Sequence, residues 1–223
     1  MDHAVAVNAE IRDLFAAGTV VVQIDEPDMQ ARPEKARQYS LKALSVARDG
    51  ITGTAAVHLC FGYAAVIHAR PSGCSFLSEL RGCGCKQVSI ETAQSGLDCS
   101  VLAQLDDKQI MIGCIDLSDM AIETPEVVAA RIRRALPFVA KERVILAPDC
   151  GTKSLPREVA VGKLQANASR ADVAFGVRGG ARDPSARVCE GSCDGGSAGY
   201  PEPTEAAADS PPDSSRSCAR PRG

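Results

Sequence analysis

Tryptophan is absent from this chain of 223 residues, and aromatic side chains make up only 4% of it. A core must therefore be built from Val, Ile, Leu and Ala, which suits parallel strands buried between helices. Long runs of one charge are also missing and the formal net charge is −3, so nothing electrostatic invites nucleic acid or an anionic membrane. No apolar run reaches the length of a bilayer span, and the start, Met1-Asp2-His3-Ala4-Val5, lacks the basic-then-apolar order of a secretory signal. The expectation is a cytoplasmic globular protein with neither membrane nor nucleic acid as partner. Nor does any glycine-rich dinucleotide or phosphate loop occur.

Cysteine, by contrast, is plentiful at ten residues. In a reducing compartment such a count reads as metal ligation or as small buried hydrophobes, and spacing must decide between them.

Apolar periodicity predicts a helix over 8–18, then a β-branched strand over 19–24 that empties into Asp25-Glu26-Pro27. A helix over 34–49 leads to a second strand that carries His58 and Cys60. Further strands are expected over 86–91, 109–116 and 143–147. Helices are expected from Thr124 to about 139, where Thr124 caps and Pro125 takes the first helical position, and over 156–174. Shorter helical pieces fall at 76–80 and 97–105. Strand alternating with helix argues for a parallel sheet of the α/β class, whose function sits at the C-terminal strand ends. Those ends converge on one chemical theme, which favours a barrel of about five βα units over an open sheet. Residues 178–223 are rich in Gly, Pro, Ser and Arg and read as a disordered low-complexity tail behind a 1–177 domain. Its Cys189 and Cys193 read as free thiols.

Side chains two apart on a strand share a face, so His58 and Cys60 can serve one ion. Glu91 and Cys150 end two other apolar runs, and the four together make a His, Cys, Glu, Cys set suited to a soft tetrahedral metal such as zinc. Zinc in such a site turns a bound thiol into a thiolate, which makes alkyl transfer to sulfur the natural reaction. Asp25 and Glu26, at a strand end beside that site, suggest recognition of an amine. Cys83 and Cys85 precede their strand and so belong to the opposite end. Cys74, Cys99 and Cys114 read as packing or surface residues, and His3 and His68 are given no role.

Taken in order, Gln23-Ile24-Asp25-Glu26-Pro27, His58-Leu59-Cys60, Ile90-Glu91-Thr92 and Pro148-Asp149-Cys150-Gly151 resemble the C-terminal catalytic half of cobalamin-independent methionine synthase. The resemblance implies a TIM-type barrel and zinc on His58, Cys60, Glu91 and Cys150, with Asp25 on the amino group of a homocysteine-like thiol. It also implies a methyl-folate donor. Two departures accompany it. Ser118 stands nearest the place of the family's proton-relay histidine, which keeps open a related thiol alkyltransferase of the epoxyalkane:coenzyme M transferase type. The chain also supplies about five of the eight barrel strands, so either another chain completes the barrel, or the chain dimerises, or the product is a truncated form with little or no activity.

Overall fold

The computed structural model describes residues 1–62, 74 and 76–168. The expected tail, with Cys189 and Cys193, and His68 lie outside the described residues. By its contacts the chain divides into Met1–Cys189 and Glu190–Gly223, and every described residue belongs to the first unit.

Five parallel strands form one sheet in chain order: β1 (Val21–Asp25), β2 (Thr54–Leu59), β3 (Gln87–Glu91), β4 (Gln109–Ile115) and β5 (Val144–Pro148). Unreversed order with right-handed crossovers places the connecting helices on one face, as in a sector of a βα barrel. Ala55, Val57, Leu59, Val88, Ile90, Ile110 and Ile112 pack on that side in one core with Leu44, Leu80, Leu102 and Ala135. Strand alternation then sends His58, Gln87, Ser89 and Glu91 to the other face. One face of the sheet is thus apolar packing and the other is chemistry.

Five α-helices flank the described strands: α1 (Asp2–Ala16), α2 (Pro27–Ala31), α3 (Pro33–Ala47), α4 (Pro125–Ala135) and α5 (Arg157–Ala168). α1 begins earlier than 8 because Ala4 and Val7 extend upstream the stripe that Ile11 and Phe15 present to β1 and α3. It ends at Gly18, whose φ of 97° a side chain would disfavour. Pro27 stops β1 by starting α2 at its first position, where no amide hydrogen is needed. The stretches near 76–80 and 97–105 are 3₁₀ turns, Ser78–Gly82 and Cys99–Gln104, the latter held at its start by Asp98 accepting from the Ser100 amide. Cys74, Cys99 and Cys114 are all buried packing residues.

An ionic network that the sequence pattern does not announce anchors the loop after β4. Lys163 of α5 is completely buried and donates to the carbonyls of Asp116 (2.9 Å) and Ala121 (2.6 Å) and to Glu123 Oε2 (2.9 Å). Glu123 Oε1 accepts from the Asp116 amide (2.7 Å) and from Arg131 of α4 (3.0 Å). Burial opposes the charge on Glu123, but these donors outweigh it and hold its pKa below the ordinary value. Lys163→Met would leave Glu123 short of one counter-charge and two carbonyls without a donor. The expected loss is about 3 kcal/mol of unfolding free energy, read by urea denaturation followed by circular dichroism.

Candidate functional site

Register brings the site together. Asp25 pairs across the sheet with His58, and His58 with Ser89, so three strands contribute to one row near the C-terminal end. Glu91, the last residue of β3, is one pleat further on, as is Cys60 just past β2. Cys150 follows β5. Ligand atoms of His58, Cys60, Glu91 and Cys150 all lie within 4.8 Å of one another. The two sulfurs are 3.8 Å apart. A tetrahedral ion with metal–sulfur bonds of about 2.3 Å sets its sulfurs about 3.8 Å apart, so the thiol pair already has the spacing of such an ion's ligands.

Three of these side chains are held from behind. His58 Nδ1 is 2.9 Å from Ser89 Oγ, while Nε2 is buried and has no hydrogen-bond partner in the described structure. An orphaned ring nitrogen is costly, and a metal is the partner that a ring oriented through its other nitrogen ordinarily takes. The Phe61 amide donates to Glu91 (2.8 Å) and the Gly62 amide to Cys60 Sγ (3.4 Å). The set of two thiols, an imidazole and a carboxylate therefore fits a soft divalent ion.

The charges in the site are coupled. A hydrogen bond from the Cys150 thiol, and after it the interaction with His58, lowers Cys60 to about 4 against the opposing effect of burial. Cys150 is pushed up in turn, first by sharing that bond and then by burial. Burial works to lower His58, but the Cys60 thiolate, with Asp25 and Glu91, outweighs it and the net shift is upward. The coupling thus favours a thiolate at Cys60 and a neutral thiol at Cys150, and it favours the charged form of His58. Loading a metal there releases protons.

Asp149, named in the sequence only as one more strand-end acid, is the mechanical centre. Its carboxylate accepts from the amides of Thr92 (3.0 Å), Ala93 (3.0 Å) and Gln94 (2.6 Å), tying the segment after Glu91 to the segment that carries Cys150. Burial raises its pKa to about 6 against these three donors, which leaves it ionised at neutral pH. Gly113 of β4 makes room for this bond.

The other expected site residues stand differently. Asp25 is exposed, accepts from Gln23 (2.9 Å) and borders a cleft of about 320 Å³ together with Glu26. Burial, and then the charge of Asp28, raises the pKa of Glu26. Ser118 turns its hydroxyl onto Asp116 (2.6 Å) in an exposed loop, and its neighbour Leu117 lines a crevice of about 10 Å³ with Glu91, Cys150 and Gly151. The structure therefore brings the four ligands together with Asp25 beside them, and it does not bring in the Ser118 hydroxyl. Ser89 was missed, although its place in the His58 row follows from aligning the two strands.

The sequence model of the cobalamin-independent synthase catalytic domain matches residues 1–172. The chain belongs to this family. Among curated members it is 34% identical over 167 residues to methionine synthase of Saccharolobus islandicus strain L.S.2.15, covering 73% of this chain and 47% of the relative. It is 28% identical over 163 residues to that of Sulfurisphaera tokodaii, covering 73% and 45%. A B12-independent methionine synthase from Shewanella sp. W3-18-1, solved in complex with selenomethionine, superposes with a TM-score of 0.73 at 29% identity over 78% of this chain and 54% of that one. A methyltransferase from Methanosarcina mazei, at 18% identity, shares the fold with a TM-score of 0.56 over 74% and 47%. The chain spans about half the length of the curated relatives it matches. Among the described residues no helix is long and apolar enough to cross a membrane.

A Cβ placed on Gly113 would collide with Asp149 Oδ1, and would stand 2.8 Å from the Asp149 Cα and 3.0 Å from the Ile90 carbonyl. Two of these are backbone atoms that cannot move aside. Gly113→Ala is expected to destabilise the fold by about 2 kcal/mol, measured by equilibrium denaturation.

Proposed function

We propose that this chain carries the zinc-binding, thiol-activating half of a methyltransferase that forms methionine from a homocysteine-like thiol and a methyl-folate donor. The observation that carries the reading is the four-ligand cluster with its unsatisfied His58 Nε2. Membership of the cobalamin-independent synthase family and likeness to methionine synthases support it.

His58, Cys60, Glu91 and Cys150 would hold the metal. Zinc there supplies a Lewis acid that lowers the pKa of a bound thiol, so that the nucleophilic thiolate is present at neutral pH. The remaining chemistry belongs to the chain. Ser89 keeps the His58 ring oriented through Nδ1, and the Phe61 and Gly62 amides hold Glu91 and Cys60 in place. A carboxylate among thiolates is the hard, displaceable member of the set, so Glu91 would be the most weakly held ligand of such an ion. Asp25, in the same row as His58, is placed to accept the ammonium group of an amino-acid thiol, and Glu26 flanks it. The Ser118 hydroxyl, bonded to Asp116, is a poor proton relay as it stands. That observation favours as second reading a related zinc-dependent thiol alkyltransferase with a different acceptor. An eight-stranded barrel has three strands beyond the five described, and those strands would complete the substrate wall.

The wild-type chain is expected to bind one zinc per molecule, and Cys150→Ser to lose most of it, as measured by metal analysis after dialysis. Metal near zero in both proteins would overturn the reading. Ser89→Ala is expected to weaken zinc binding about tenfold in chelator competition, because the ring loses its orienting partner while all four ligands remain.

A further inference from the structure

Two cysteines lie outside the metal cluster but close to each other. Cys83 and Cys85 flank Gly84 in the segment that leads into β3, at the opposite end of that strand from Glu91. The four steps from Gln87 to Glu91 alone span about 13 Å, so these thiols cannot serve the same ion as His58 and Cys60. Both are buried, with 8% of Cys83 and 1% of Cys85 exposed.

Their surroundings are cationic. Lys108, itself only 6% exposed, donates from Nζ to the Cys83 carbonyl (2.9 Å) and pairs with Asp107 (2.8 Å). The Arg48 guanidinium lies against Gly84, where a Cβ would come within 2.6 Å of Nη1. Arg48 Nε is the other buried polar side-chain atom, besides His58 Nε2, that lacks a hydrogen-bond partner in the described structure. Two positive groups from different elements therefore flank two thiols, one of them with an unused donor. The hydrogen bond between the thiols lowers Cys83 to about 7 against the effect of burial, with help from Lys108, while Cys85 is pushed up by the same bond and by burial. Cys83 is thus the more readily ionised of the two thiols.

Geometry permits the two to join. Residues two apart are separated by at most about 7 Å, and a disulfide takes Cα atoms roughly 4.4–6.8 Å apart, so the spacing allows a bridge across Gly84. We propose that Cys83 and Cys85 form a redox-active dithiol that closes to an intramolecular disulfide by exchange with a glutathione-type disulfide. The Cys83 thiolate attacks one sulfur of the oxidant and releases one glutathione thiolate. Cys85 then loses its proton and attacks the Cys83 sulfur of the mixed disulfide, expelling the second glutathione thiolate. The protein loses two protons and two electrons, and the oxidant is reduced to two thiols. Cys83, which keeps some surface, is the attacking thiol; Cys85 is the resolving one.

Trypsin cuts after Arg81 and Lys86, so one peptide holds Cys83 and Cys85 and neither metal-site cysteine. The test equilibrates the wild-type chain with glutathione mixtures of rising oxidised fraction, quenches in acid, alkylates in denaturant and weighs that peptide. The expected result is replacement of the doubly alkylated form by an unalkylated one lighter than the dithiol by two hydrogen atoms. In Cys85→Ser, a glutathione adduct on Cys83 should accumulate instead. A peptide that stays doubly alkylated in wild type across the whole range would overturn the proposal. So would glutathione adducts in wild type with no internal disulfide. The wild-type measurement stands whether or not the variant folds.

Discussion

The sulfurs of Cys60 and Cys150 stand 3.8 Å apart although 90 positions separate them, and no local structure can arrange that. The distance is imposed by three consecutive parallel pairings from β2 to β5, each of which sets the register of the next. A one-residue slip in β2 or β3 would turn His58 or Glu91 into the apolar layer and bring Val57 or Ile90 into the site. The large aliphatic core on the helix side is what forbids such a slip. Packing and ligand geometry are therefore the same constraint seen from the two faces of one sheet.

Against that constraint the local hydrogen bonds take on distinct roles. Ser89 orients a ring, the Phe61 and Gly62 amides hold a carboxylate and a thiolate, and Asp149 binds the two ligand-bearing segments together through three amides. The β4 register shift between Gly113 and Ile115 lets the chain continue into the Lys163–Glu123 network without disturbing Gly113, where no side chain could be accommodated. The loop after β4 is thus anchored by charge, whereas the neighbouring strand ends are anchored by backbone amides.

How much of this was legible beforehand follows from which interactions are periodic. Strands of Val, Ile and Ala bounded by acids, glycine or proline show themselves by composition, so the five strands and the polar character of their ends could be read directly. His58 and Cys60 were readable as a pair because their spacing of two is a strand property. Ser89 and Gly113 were not, since their importance comes from the residue opposite them in another strand, which a single sequence does not display. Lys163 reads as an ordinary polar position of a helix; only the fold turns it inward to a loop 40 residues earlier. The two short 3₁₀ turns read as helical pieces in the sequence because a few apolar residues cannot distinguish three residues per turn from 3.6.

The sheet's unreversed order also bears on how the molecule comes into being. Each strand pairs with the one made just before it, so a chain leaving the ribosome can lay down β1 to β4 in sequence without waiting for distant partners. The ligands do not share that convenience: His58, Cys60 and Glu91 emerge early, and Cys150 comes only after the fifth strand. During synthesis there is an interval in which the nascent sheet presents only three of the four clustered side chains. The segment carrying Cys150 is the closing piece, and Asp149 ties it through three amides to the segment after Glu91.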